Sequence, residues 1–272
     1  MPESTGLDDQ KQKLMLPFNT IASNYDALHF LHSPARRLVE LAKLSTNARV
    51  LDVATGTGLV AMLAAQAVGQ NGKVVGIDLA EEMLAVARQK FPPASHPQIT
   101  FQTGDAENLN FPALSFEAVL SSAALFFVPD MLKALKEFRR VLVPGGCVGF
   151  NSFEAGFLQP LNALWIARLE KHALKIGSLP THRLGGPAIC EQFLREAGFT
   201  EIETHVEQLG YYLPGFTQRW DEIVPGLEGM PLLKITAEER EQIKAEHMAE
   251  VNAFVTPQGL WVDVPVIFAF GR

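Results

Sequence analysis

The chain has 272 residues, 47% of them hydrophobic and 19% charged, with a formal net charge of -7. That length suits one large domain or a domain with a lid, and the composition is that of an ordinary globular protein. The acidic balance argues against a nucleic-acid partner, which needs a basic face, and no uninterrupted apolar run is long enough to span a bilayer.

Residues 1–13 are polar, read as disordered, and lack the apolar core of a signal peptide. Residues 14–45 carry apolar residues at helical spacing (Leu28, Leu31, Leu38, Leu41, Leu44), broken at Pro34, and read as short helices ahead of the main fold. From there strands and helices alternate. Strands are expected at 49–54, 73–78, 99–103, 118–122 and 147–153, and helices at 59–68, 81–90 and 131–142. The 155–186 stretch interrupts the rhythm with a helical, aromatic-bearing segment. A helix at 188–197 and a strand at 201–209 resume it. A second interruption, 211–262, contains Thr236-Ala-Glu-Glu239, the spacing of a helix capping box, and a final strand follows at 264–270. The repeated strand–helix order predicts an α/β fold, a parallel sheet with helices on both sides. The expected organisation is a tail with cap helices over 1–45 and a main domain over 46–272, with cap insertions near 155–186 and 211–262. The two cysteines, Cys147 and Cys190, have neither zinc-site nor disulfide-framework spacing and fit a reducing cytoplasm.

The stretch VLDVATGTG, residues 50–58, ends the first strand in a glycine turn. Such a turn lets a ligand approach the backbone, and the next helix offers unpaired N–H groups. Gly56-Thr-Gly58-Leu-Val-Ala61 fits G-x-G-x-x-A, and Asp78 ends the second strand where ribose hydroxyls would lie. Taken alone this is a dinucleotide fingerprint, or no more than a tight turn. Asp52 argues against a dinucleotide, because a strand-end carboxylate repels a pyrophosphate. It would welcome a cofactor carrying an ammonium and a sulfonium, as S-adenosyl-L-methionine does.

Four ordered stretches, VLDVATGTG, VVGIDLAEEML, TGDAENLNF and VLVPGGCVGF, together resemble the class I S-adenosylmethionine-dependent methyltransferases. The resemblance is nearest to the small-molecule branch that includes the ubiquinone and menaquinone biosynthesis C-methyltransferases. It covers about 19–153 well. It implies a Rossmann-like three-layer sandwich on a seven-stranded sheet with the last strand antiparallel, and S-adenosyl-L-homocysteine as product. By resemblance, Asp52, Ala54, Thr55, Gly56 and Gly58 form the methionine end and Asp78 takes the ribose. Leu79 and Met83 pack on the adenine. Gly104, Asp105, Ala106 and Glu107 edge it, Asp105 accepting from its amino group. Ser121 and Ser122 end the fourth strand, where cofactor and acceptor meet. FNTIASNYD, 18–26, resembles a short helix folded over the cofactor, with Tyr25 near its methionine end, and Arg36 or Arg37 pairs with the cofactor carboxylate. One departure is Ala54, where the family has glycine; its methyl is tolerated if the backbone there stays extended.

Plainer roles stand beside these. Asp105 also suits a helix N-cap, Met83 core packing, and Tyr25 packing as readily as lid contact. Methyl transfer needs alignment and exclusion of water more than a catalytic signature, and there is no Ser-His-Asp order and no metal-ligand spacing. Of the seven histidines, His29 is the first candidate for a general base and His182 the second, against a structural or solvent role for each. Phe126, Phe157 and Tyr212 are candidate acceptor contacts, and the aromatics after the strand ends suggest a planar or apolar acceptor; packing of the lid onto the sheet is the alternative. The expected function is methylation of a small-molecule acceptor, by a monomer or homodimer, with no nucleic acid partner. The rivals are a nicotinamide oxidoreductase and a non-catalytic S-adenosylmethionine-binding protein.

Overall fold

The computed structural model describes residues 9–177 and 179–272. Of the tail expected to be disordered, 1–8 lie outside the described residues. Asp9–Lys13, by contrast, open a helix, α1 (Asp9–Ile21), despite Pro17 within it. A 3-10 segment (Ala22–Ala27) follows, then α2 (His32–Leu41).

β1 (Arg49–Val53) runs into α3 (Leu59–Val68), β2 (Lys73–Asp78), α4 (Glu81–Lys90) and β3 (Ile99–Thr103). β4 (Phe116–Ser121), α5 (Met131–Val141) and β5 (Leu142–Phe153) complete the first half. β1 and β4 are buried nearly throughout, as strands covered on both faces must be. α3 packs Ala61, Ala64 and Ala65 inward; small side chains let it lie close to the sheet. α4 has Glu81 and Glu82 in its first turn and Arg88 and Lys90 in its last, matching the helix dipole. At the start of α5, Asp130 accepts from the Lys133 N–H at 2.9 Å.

The second half adds α6 (Leu161–Lys171), α7 (Pro187–Glu196), β6 (Glu203–Gln208), β7 (Tyr211–Leu213), α8 (Phe216–Ile223), α9 (Ala237–Val251), β8 (Val255–Thr256), β9 (Gly259–Val262) and β10 (Pro265–Gly271). The main sheet has seven strands in the order β3-β2-β1-β4-β5-β10-β6. β10 runs antiparallel to both β5 and β6, and the β1, β2, β3, β4 and β5 pairings are parallel. The chain reverses its direction of winding between β1 and β4, and at that switch point the carboxyl ends of the strands open a crevice.

The second interruption is not purely helical. Its strands form a separate three-stranded sheet, β7-β9-β8, too short in each strand to register as alternation. α9 does start in the expected capping box: Thr236 Oγ1 accepts from the Glu239 N–H at 3.2 Å, and Glu239 Oε2 accepts from the Thr236 N–H at 2.8 Å. The two interruptions pack on each other. Trp165 of α6 is fully buried, donates to the Glu228 carbonyl at 3.0 Å, and meets Trp220 and His247 edge-on or tilted. Buried Arg219 holds the Glu228 carboxylate at 2.6 and 2.8 Å.

Candidate active site

The crevice above β1, β2 and β4 holds a cleft enclosing about 800 Å³, mouth included. It takes Val53, Ala54 and Gly56 from the glycine turn, Asp78, Leu79, Ala80 and Met83 from the β2–α4 corner, Gly104, Asp105, Ala106 and Glu107 after β3, and Ser122 to Ala124 after β4.

The turn itself needs left-handed backbone. Gly56 has φ +55° and Gly58 φ +87°, as glycine permits. Gly58 does not face the cleft: its missing side chain makes room for Phe101, whose ring would lie 2.8 Å from a Cβ there. Ala54 also has φ +56°, so the extended backbone expected there is not what forms; its methyl is carried in a strained conformation.

Asp78 accepts from the Gly56 N–H at 2.8 Å and the Ala80 N–H at 2.9 Å, so its carboxylate locks the turn to the β2–α4 corner while lining the cleft. Burial pushes its pKa up, against the pull of those N–H groups. Asp52 sits behind the turn, 1% exposed, and accepts from Thr55 Oγ1 at 2.5 Å. Burial raises its carboxyl to about 7, with the nearby Asp78 charge adding and the Thr55 hydroxyl opposing. A side bay joins it, lined by Asp52, Thr55, Gly56, Thr57, Tyr25, His32 and Ser122. A buried carboxylate with a depressed tendency to ionise is a site that a cation would relieve.

Tyr25 borders the cleft, the bay and a third space, an apolar cavity of about 540 Å³. Desolvation, with the charges of Asp78 and Asp26, raises its phenol above the usual range and keeps it protonated. The apolar cavity is walled by Phe18, Leu28, Phe30, Phe126, Phe153 and Phe157, among others. Phe153 and Phe157 stack at 4.0 Å, and Phe30 meets Phe157 edge-on at 5.3 Å.

Other expected residues lie elsewhere. Arg37 does not line these spaces; Glu207 of β6 binds its guanidinium through two nitrogens at 2.8–3.0 Å and Glu40 adds a bond at 3.2 Å. The carboxylates tie it to β6, and Arg37 is absent from the lining of the cleft, the bay and the apolar cavity. Ser121 is buried at the end of β4, and Ser122, one residue on, reaches the cleft. His29 and His182 line neither the cleft nor the apolar cavity. His29 Nδ1 lies 3.1 Å from Glu222 Oε1, with its side chain 60% exposed, and His182 belongs to the 3-10 turn Pro180–Leu184. Tyr212 is 47% exposed and stacks obliquely on Trp261, its partner in the β7–β9 register, facing away from the core.

Three further contributors are not among the expected site residues. Lys11, Leu14, Met15 and Phe18 of α1 line the cleft, and Lys11 bonds both Asp105 and Glu107. Asn151, fully buried on β5, accepts from the Ala123 N–H at 2.7 Å and donates to Ser122 Oγ at 3.1 Å, holding the corner after β4 in which Ala123 takes φ +51°. Asp26 accepts from Thr57 Oγ1 and from Lys90 Nζ, each at 2.6 Å, tying the 3-10 segment to the glycine turn.

A family profile described as a methyltransferase domain matches residues 50–146. The aklanonic acid methyltransferase of a Streptomyces species is 37% identical over 157 residues, which span 55% of this chain and 71% of that one. The demethylmenaquinone methyltransferase of Symbiobacterium thermophilum is 30% identical over 75% of this chain and 91% of its own. The chain belongs to the class I S-adenosylmethionine-dependent methyltransferases. Across nearly the whole length, this methyltransferase is also 27% identical to the nocamycin O-methyltransferase of Saccharothrix syringae, over 94% of this chain and 96% of that one. A solved methyltransferase-type protein of Bacillus halodurans superposes with a TM-score of 0.58 at 26% identity, over 88% of this chain and 98% of that one. Phosphoethanolamine N-methyltransferase 2 of Haemonchus contortus shares the fold, with a TM-score of 0.59 at 20% identity, over 98% of this chain and 60% of that one. The methyltransferase therefore uses S-adenosyl-L-methionine to methylate a small-molecule acceptor, and the nicotinamide and non-catalytic readings of the glycine turn fall away. Among the described residues no helix is long and apolar enough to cross a membrane.

Proposed function

We propose that this methyltransferase acts on an apolar, ring-bearing acceptor held in the phenylalanine-walled cavity. The observation that carries the reading is the place of Tyr25, where the cleft, the Asp52 bay and the apolar cavity meet. Asp52, Ala54, Thr55 and Gly56 hold the methionine end of the cofactor, with the raised Asp52 carboxyl made ionic by its ammonium. Asp78 accepts from the ribose hydroxyls. Leu79 and Met83 pack against the adenine, with Gly104, Asp105, Ala106 and Glu107 along its edge. When bound, the cofactor supplies a methyl group on a sulfonium, already a good leaving group.

The protein's own work is alignment and exclusion of water. Phe126 and Phe157 place the acceptor, Tyr25 and Phe127 border both spaces, and the protonated Tyr25 phenol does not serve as a base. The cap is the 1–45 segment together with the insertions at 155–186 and 211–262. The buried thiols of Cys147 and Cys190 support a reducing, cytoplasmic setting. A panel of acceptors with radiolabelled S-adenosyl-L-methionine tests this reading. Transfer to ring-bearing apolar molecules is expected. Transfer confined to charged acceptors such as phosphorylated amines would overturn it.

A further inference from the structure

α1 begins Asp-Gln-Lys-Gln-Lys, and such a run belongs on a solvated face, yet Lys11 is only 8% exposed. Its ammonium lies 2.7 Å from Asp105 Oδ2 and 2.8 Å from Glu107 Oε2, bridging 94 and 96 residues of sequence. Both carboxylates are committed on their other oxygens: Asp105 Oδ1 accepts from the Glu107 N–H at 2.9 Å and Glu107 Oε1 from the Asp130 N–H at 3.0 Å. Two carboxylates this close would repel each other without a cation between them. The same helix turns Leu14, Met15 and Phe18 into the cleft, and Phe18 meets Phe127 edge-on at 5.1 Å. Its end is tied to α4, where the Glu82 N–H donates to Asn19 Oδ1 at 3.1 Å. Lys13, on another face of the helix, is exposed and pairs with Asp9 at 3.2 Å.

We propose that Lys11 is a positioning residue of the cofactor site: it fixes the Asp105 carboxylate for the purine amino group and ties α1 down as a roof over the bound nucleoside. The nucleoside then leaves only when the Lys11–Asp105–Glu107 triad opens. The inference rests on the reading of Asp105 as the adenine acceptor. It places the gate on the rate of cofactor exchange and not on the methyl-transfer step, because Lys11 lines the cleft but does not join the lining of the acceptor cavity.

The test is the dissociation rate of S-adenosyl-L-homocysteine from the full chain, with a thermal melt to confirm folding. Lys11→Gln should speed release about 10- to 100-fold, the scale of losing charge-assisted hydrogen bonds, and raise KM for the cofactor without lowering kcat at saturation. Lys11→Arg should restore most of the loss, and Lys13→Gln should match the wild type. Lys11→Met should speed release as Lys11→Gln does, so the comparison stands if one of the two variants folds poorly. Unchanged release in folded Lys11→Gln overturns the proposal, as does tighter binding, which would mean that Lys11 competes with the base. Asp105→Ala, which removes the acceptor, separates the two readings: full S-adenosyl-L-homocysteine affinity there sinks the assignment of Asp105 itself, whereas weakened affinity beside an unaffected Lys11→Gln sinks only the role of Lys11.

Discussion

The cofactor cleft and the apolar cavity share Tyr25, Phe18, Ala123 and Phe127, yet they are built in opposite ways. The cleft is made of strand ends: backbone N–H groups, two aspartates and a left-handed turn, placed within a few residues of one another in each motif. The cavity is made of side chains from α1, the segments before α2, the β5 end and both insertions, brought together only by packing. A polar, backbone-built site is tuned by charge and conformation. An apolar, side-chain-built site is tuned by volume. Changes in the first should act on cofactor affinity and on pH response, and changes in the second on the acceptor alone.

The largest contrast is expected at Asp52. Its folded carboxyl titrates near 7, whereas its unfolded value lies near 3.8. Between those values the folded protein holds the extra proton, so the ligand-free protein should lose stability as pH rises from about 4 to 7, by up to about 4 kcal/mol. Asp52→Asn should remove that slope and be the more stable protein at pH 8, while binding S-adenosyl-L-methionine about tenfold or more weakly for want of a charge to face the ammonium. Parallel melting curves of the two proteins across this range would show instead that Asp52 is not the titrating group. Bound S-adenosyl-L-homocysteine, which brings the ammonium, should flatten the wild-type slope.

Asp78 comes next. Asp78→Ala removes the ribose acceptor and the link to the Gly56 and Ala80 N–H groups, and should weaken S-adenosyl-L-methionine binding by about 1–3 kcal/mol in calorimetry. Acceptor KM at saturating cofactor should hold. A folded variant with unchanged cofactor affinity would break the division between the two spaces at its clearest point.

That division also explains what could be read from the chain. Asp52, Gly56, Asp78 and the 104–107 stretch sit beside strand ends, and strand ends announce themselves by an apolar run that stops; seven expected positions, Ala54, Gly56, Asp78 and 104–107, line the cleft together with Leu79 and Met83. Gly58 was legible as a turn residue but not as one that faces Phe101 and away from the ligand. Lys11 was not legible, because a lysine among polar residues looks solvated until its partners at 105 and 107 are folded against it. Asn151 lies inside an apolar strand, where nothing local says that its amide reaches across to the β4 corner. Tyr212 was misplaced for the same reason in reverse: in a three-residue strand, the face is decided by pairing with β9, and pairing points it at Trp261 and solvent.

Phe157 and Tyr212 therefore sharpen the comparison as a pair. Phe157→Leu should lower kcat/KM for the acceptor by about 3- to 10-fold, the worth of one aromatic contact, and leave cofactor affinity unchanged. Phe157→Ala should do more but also cost about 3 kcal/mol of stability, since the ring is buried against Phe153. Tyr212→Ala should change neither set of constants. If Phe157→Leu weakened cofactor binding while acceptor kinetics held, the cavity wall would belong to the cofactor site.

Ala54 gives the smallest effect and the finest test of how the cleft is built. Its backbone sits at φ +56°, where an L-residue with a Cβ costs about 1–2 kcal/mol and glycine costs nothing. Glycine in turn gives the unfolded chain more freedom, a loss of about 0.5–1 kcal/mol. The difference favours Ala54→Gly by about 0.5–1 kcal/mol, readable as a shift of the urea midpoint of the ligand-free protein at unchanged slope. Since Ala54 lines both the cleft and the Asp52 bay, the methyl it loses is one the cofactor would have met, and affinity should stay within about threefold, less than one buried methylene is worth. A destabilised Ala54→Gly would mean that the methyl packs better than its strain costs, so that this turn is held by side-chain contact, like the cavity, and not by backbone alone.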